Sequence, residues 1–268
     1  LSPDLLLLAA TAIAAGVVVG LFAGLLGIGG GLILVPVLFE LTRALDADPA
    51  TAMRAAIATS LACVIATGLR SALSHYRRGA LDAALIRSWA PSIIVGSLIG
   101  AEIATRVDAT TLLTAFAVMT VVLAVHMAFG RREWRLGDAP PAAVFRLGGG
   151  GFVGFVAGLL GLGVAGLGVP LMTLFNASVR AAVPAVALIG ALAAIPATVR
   201  FIIAGWGVTP LPPYSFGYVN VLGFALIVPV AMLVTPLGAA WSHQVSQQTL
   251  RRIFAVFLAV NAVRMLLS

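Results

Sequence analysis

Apolar residues run along this chain in long blocks separated by short polar or glycine-rich stretches. The first block, Leu5 to Leu26, meets a glycine cluster and continues as a shorter one from Leu32 to Leu41. Further blocks follow at about Met53–Ser74, Ala84–Thr105 and Thr110–Phe129. The order then recurs, with a break near Gly161–Gly168 and blocks at about Ala182–Ala204, Phe216–Ala240 and Thr249–Leu267. A helix needs roughly 20 apolar residues to cross a hydrocarbon core, and several blocks reach that length. The pattern predicts an all-α fold, a polytopic transmembrane helix bundle. Proline inside the segments (Pro91, Pro196, Pro229, Pro236) predicts kinks, which a bundle tolerates where neighbours satisfy the freed carbonyls.

The recurrence extends to residue identity. Ala23-Gly24-Leu25-Leu26-Gly27-Ile28-Gly29 returns as Ala157-Gly158-Leu159-Leu160-Gly161-Leu162-Gly163, and Val35-Pro36 as Val169-Pro170. Towards the ends of the halves, Pro91, Gly100 and Ala101 match Pro229, Gly238 and Ala239. Phe116-Ala117-Val118 matches Phe254-Ala255-Val256, and Ala124-Val125 matches Ala262-Val263. Two collinear blocks with aligned Gly and Pro exceed what a small apolar alphabet yields by chance. The expected organisation is a first repeat over 1–130, a cytoplasmic linker over 131–146 and a second repeat over 147–268. Each repeat is expected to hold one glycine-broken, re-entrant or short helix pair and three spanning helices.

Composition agrees with a lipid-facing exterior. The 268 residues are 61% hydrophobic and 9% charged, against about a quarter charged in a soluble domain. The net charge is +7, carried by arginine without any lysine. Nucleic-acid binding would require a clustered basic face, whereas here arginines are spread over short loops, so no nucleic-acid partner is expected. The single cysteine, Cys63, excludes a disulfide framework and a cysteine metal site. The first block has no basic region before it and reads as a structural segment, not a cleaved leader.

Arginine placement also predicts orientation. The stretch 75–87 holds Arg77, Arg78 and Arg87, and the linker holds Arg131, Arg132, Arg135 and Arg146, so both are expected inside. The arginine-free stretch 205–215 then lies outside and Arg251-Arg252 inside. This works if each half crosses an odd number of times, with the broken segment entering and returning as a hairpin. The halves then form an inverted-topology repeat.

The glycine breaks carry the candidate chemistry. Gly27, Gly29, Gly30 and Gly31 in one half, and Gly161, Gly163 and Gly166 in the other, interrupt helices that have no other use for them. Close packing of helices through small residues is one reading. The other is a helix N-terminus facing a cavity, whose free N–H groups and dipole bind an anion. Two opposed tips would place that anion at the centre of the repeat. Arg70 and Arg200 occupy similar places in the two halves and either attract substrate or anchor topology. Thr59, Ser60 and Asn261 bond either to neighbouring helices or to a ligand. His75 is expected at an interface, and Glu102 in a helix-end ion pair with Arg106. From Gly151 onward there is no Asp or Glu to repel an anion.

The run Gly24-Leu25-Leu26-Gly27-Ile28-Gly29-Gly30-Gly31-Leu32-Ile33-Leu34-Val35-Pro36, with Ala58-Thr59-Ser60-Leu61 and Ser74-His75-Tyr76-Arg77-Arg78-Gly79, resembles the TauE/SafE sulfite exporter family. The resemblance spans the chain, although the second motif departs from a plain triple glycine with Val164-Ala165-Gly166. It implies a permease of the bacterial inner membrane for sulfur-containing anions such as sulfite or organosulfonates. The expected partners are a small anionic substrate and the lipid bilayer, with no cofactor and no metal. An anion channel, or a carrier of another organic acid anion, stays open. An intramembrane enzyme is disfavoured, because no Gly-x-Ser-Gly, His-Glu-x-x-His or aspartate pair supplies the chemistry.

Overall fold

The computed structural model describes residues 3–26, 30–45, 47–129, 142–175, 177–241 and 247–267. Within them the first half runs α1 (Pro3–Leu26), α2 (Gly31–Arg43), α3 (Pro49–Tyr76), α4 (Ala83–Ala104) and α5 (Ala109–Phe129). The second half runs α6 (Ala143–Leu160), α7 (Ala165–Leu174), α8 (Val179–Ala204), α9 (Val221–Trp241) and α10 (Gln247–Leu267). A short hairpin of β1 (Ser215–Phe216) and β2 (Val219–Asn220) precedes α9, with Ser215 opposite Asn220 and Phe216 opposite Val219. The fold is therefore an all-α bundle. α3, α4, α5, α6 and α8 are each long and apolar enough to cross a membrane.

Two boundaries differ from the sequence expectation. The block expected over Phe216–Ala240 does not begin its helix at Phe216, because Gly217 takes a φ of 56° and reverses the chain into the hairpin before α9 can start. At the other junction α6 begins at Ala143, so the end of the 131–146 stretch is already helical.

Local chemistry explains where several helices begin. Asp48 caps α3 ahead of Pro49, its Oδ1 accepting from the amides of Ala50 at 3.0 Å and Thr51 at 3.1 Å. Asp82 caps α4 in the same way, and the Ser178 hydroxyl caps α8 by accepting from Ala181 N–H. These side chains satisfy amides that the first turn leaves without helical partners. The short α2 and α7 are different: Gly30 and Val164 stand at their N-cap positions with no side-chain cap. At 1.5 Å per residue they reach only about 20 and 15 Å, well short of a bilayer core of about 30 Å.

The halves interlock instead of sitting side by side. α4 of the first half packs along α6 of the second, and α1 packs along α9. Both seams are cut to backbone contact. A methyl group at Gly96 or Gly100 would collide with the backbone of α6 at Gly151 or Phe155. One at Gly154 or Gly158 would strike the carbonyls of Ile93 or Ser97. Glycines do the same work in the other seam, where Gly16 and Gly20, the latter matched to Gly154, face the carbonyls of Ile227 and Ala231. Lipid competes for apolar side chains as well as another helix does, so close van der Waals contact through small residues is what holds such seams.

At the centre, α3 packs on α8. Gly68 of α3 meets Ala187 and Ala191 in the first half of α8. Thr59, earlier in α3, accepts a hydrogen bond from the Asn220 amide at 2.9 Å, and that hairpin lies against Ile202 and Gly205 at the end of α8. These contacts order the two helices in opposite directions.

Gly→Ala ordinarily favours a helix by roughly 0.5–1 kcal/mol. At Gly154 and Gly158 the sign should reverse, with a loss of about 1–3 kcal/mol from overpacking. Gly148, with open space at its Cβ position, is the control and should not lose stability. Thermal unfolding of the three alanine variants in detergent checks the difference.

Candidate functional site

The two glycine breaks meet. A side chain on Gly31, the first residue of α2, would press on the backbone of Gly161 and Leu162 at 2.5 Å, so only glycine lets the tip of α2 lie against the second break. Gly161 ends α6 in the left-handed region at φ 68°, and Gly163 follows at φ 72°, conformations that L side chains rarely adopt. The carbonyl freed at Gly161 is taken by Ser60 of α3, whose hydroxyl donates to it at 2.8 Å. Ser60 is fully buried, as is Thr59 beside it. A serine of the first half thus fixes the break of the second.

Next to this junction lies a cavity of about 610 Å³, bounded by Gly30 from the first break and by Gly163, Val164 and Ala165 from the second. Its longest wall is the C-terminal half of α3 and the turn after it: Val64, Thr67, Gly68, Arg70, Ser71, Ser74 and His75, then Arg78. Val183, Val186, Ala187 and Gly190 of α8 face that wall, and Ala231, Met232, Thr235 and Pro236 of α9 close the ring with Val19 of α1. Arg70 and Arg78 are exposed. No carboxylate is among the described residues that line it. At about 30 Å³ per water the space holds a hydrated small ion. The hydroxyls and guanidinium groups supply donors, and the valines and alanines supply an apolar flank.

The sequence-derived candidates divide accordingly. Gly30, Gly163 and Arg70 line the cavity, and Gly31 and Gly161 form the junction beside it. Gly27 and Gly29 lie outside the described residues. Gly166 sits half-buried in the first turn of α7, away from the lining. Thr59 and Ser60 spend their hydroxyls on the hairpin and on Gly161. Asn261 is far along α10 and donates to the Phe257 carbonyl of its own helix at 2.8 Å. Arg200 does not line the cavity. Its Nε donates to Glu102 of α4, and Arg106 pairs with the other oxygen of the same carboxylate. The expected Glu102–Arg106 pair is present, and Arg200 makes it a triad.

The cavity adds residues that were not singled out as a site: Thr67, Ser71, Ser74, His75 and Arg78. A signal for them existed. Within an apolar helix the polar positions 67, 71, 74 and 75 fall at spacings that put them on one face of α3, and Arg78 follows in the next turn of chain. In a membrane helix such a stripe turns away from lipid towards protein or water. Gly68 and Gly190 give no comparable signal, since small residues serve packing equally well.

A bundle of apolar helices whose broken elements converge on a polar internal cavity defines a membrane transporter. The comparisons with known proteins place it further. The profile of the sulfite exporter TauE/SafE family matches residues 12–265, and the chain belongs to that family. It is 31% identical over 253 residues to a probable membrane transporter protein of Haemophilus influenzae, covering 94% of this chain and 96% of that one. It is also 26% identical over 272 residues to a probable membrane transporter protein of Methanocaldococcus jannaschii, covering 98% and 97%. No solved structure matches the chain. The protein is an integral membrane protein and a transporter, not an enzyme.

Ser60→Ala leaves the buried Gly161 carbonyl without its donor and is expected to cost about 1–3 kcal/mol. A fall in unfolding temperature in detergent, larger than that of Asn261→Ala, is the measurement that checks this.

Proposed function

We propose that the protein carries small sulfur-containing anions, such as sulfite or organosulfonates, across the bacterial inner membrane by alternating access of two inverted repeats. One observation carries the reading: a single cavity touches both glycine breaks, bears Arg70 and Arg78, and has no carboxylate among its described lining. Oriented amides at the starts of α2 and α7 and two guanidinium groups favour an anion over a cation or a neutral solute. The family description names sulfite, and the apolar flank suits a short organic tail on the same acid group.

Opposite directions for α3 and α8, which occupy matched places in the halves, support an inverted repeat. The wall of the cavity leads to Arg78, in the arginine-bearing stretch 75–87. By the charge rule that stretch faces the cytoplasm, so the cavity opens inward in this conformation. A carrier open on one side fits better than a continuous pore.

Purified protein should bind sulfite or a two-carbon sulfonate, and Arg70→Gln and Arg78→Gln should each weaken binding at least about tenfold, the scale of one charge-assisted hydrogen bond. Gly190→Leu, which fills the cavity where a Cβ has an ordinary 3.5 Å contact with Val164, should abolish it. Calorimetric titration reads all three variants. Wild-type protein that binds none of these anions, or variants that bind like wild type, would sink the proposal. Liposome flux with and without a proton gradient separates coupled carriage from passive conduction.

A further inference from the structure

The same repeat that makes the halves alike exposes one place where they differ. Alignment of Gly100-Ala101 with Gly238-Ala239 pairs Ser97 with Thr235 and Glu102 with Ala240. Counted from the N-cap residues Asp48 and Ser178, Arg70 and Arg200 fall at the same step of α3 and α8. The α4–α8 seam and the α3–α9 seam are therefore equivalent positions. They are in opposite states.

The α4–α8 seam is shut. Ser97 donates across it to the Ala193 carbonyl at 3.0 Å, Glu102 bridges to Arg200, and the two helices pack extensively. Ala197, on the α8 stretch between these ties, is fully buried. The α3–α9 seam is packed less closely. Thr235 turns its hydroxyl to the Ala231 carbonyl of its own helix at 2.6 Å, and the space between the helices is the cavity. Arg70 lines that space, and the position matched to Glu102 is an alanine, with no carboxylate to offer.

We propose that the two seams are the two gates of the transporter and that each is latched by an anion on its arginine. Glu102 is the built-in latch of the α4–α8 gate. The transported anion supplies the missing charge at Arg70 and so latches the α3–α9 gate. This rests on the proposed anion site, and it deepens it by assigning the ligand a structural role. The physical ground is that bringing α9 against α3 desolvates the Arg70 guanidinium. An unpaired buried cation costs several kcal/mol, so the empty carrier resists closing there. A bound anion removes that cost, as Glu102 removes it for Arg200. Closure of the loaded gate then frees the other seam to part.

Thiol accessibility tests both latches on the full-length protein with Cys63→Ala and one reporter cysteine at a time. Val183→Cys reports the cavity and Ala197→Cys the closed seam, with a hydrophilic maleimide as the probe. Ala240→Glu puts a carboxylate at the position matched to Glu102 and is expected to slow labelling at Val183→Cys at least about tenfold without ligand. Ala240→Gln, similar in size but uncharged, should leave that rate unchanged. Glu102→Gln, nearly isosteric, should raise labelling at Ala197→Cys at least about tenfold, and Arg200→Gln should add nothing to it. With monodisperse elution retained, an unchanged rate in Ala240→Glu or in Glu102→Gln overturns the proposal, as does closure by Ala240→Gln. The Glu102→Gln measurement uses no ligand, so failure of anion binding and failure of the latch read out separately.

Discussion

Contact between the two broken segments is the constraint on which the rest of the molecule depends. Gly31 can lie on the Gly161–Leu162 backbone only because it lacks a Cβ, and Gly161 can end α6 there only because glycine enters the left-handed region without strain. A helix that stops inside a membrane exposes carbonyls and amides with no water to take them, each at a cost of several kcal/mol. Ser60 answers one carbonyl from across the molecule. The starts of α2 and α7, which carry no side-chain cap, fall next to the cavity. The breaks therefore border the site: the seams hold the two uncapped helix starts beside one space.

That arrangement needs the seams to be close. With glycine lining α6 against α4 and α1 against α9, the backbones approach until carbonyls touch the opposite helix, and carbon-bound hydrogens become donors of weak bonds. Larger residues would spread the helices, move the two breaks apart and open the junction to lipid. The seams thus set the distance at which the breaks act together, and the same contacts tie each half to the other.

Much of this was legible in the sequence because a membrane removes options. Apolar blocks of spanning length point to the bundle, and the glycine clusters to its breaks, without reference to side-chain packing. The site was legible only in part. Gly163 and Arg70 stand out in the sequence because each has a counterpart in the other half, and Gly30 because it lies in a glycine run, whereas the stretch from Thr67 to Arg78 reads as a segment end. Hydroxyls were misleading for a different reason: Ser60 and Thr59 are as polar as Ser71 and Ser74, and only the fold decides which pair meets a backbone partner and which meets the cavity. Long-range pairs such as Glu102 with Arg200 need the packing of α4 on α8, which no local pattern encodes.

The arginines show how far a repeat can be trusted. Duplication places Arg70 and Arg200 alike, and symmetry alone would assign them one role. Acids break the tie, because from Gly151 onward the chain has none and the first half has Glu102. Glu102 is about a third exposed and reaches two arginines, so it lowers the cost of holding Arg200 between helices while leaving the triad net positive. Arg70 has no such neighbour in the matched position and lines the cavity instead, with Ser71 and Ser74. One carboxylate thus converts two equivalent cations into a structural one and an available one. The two halves part company at the point where their charges cease to match.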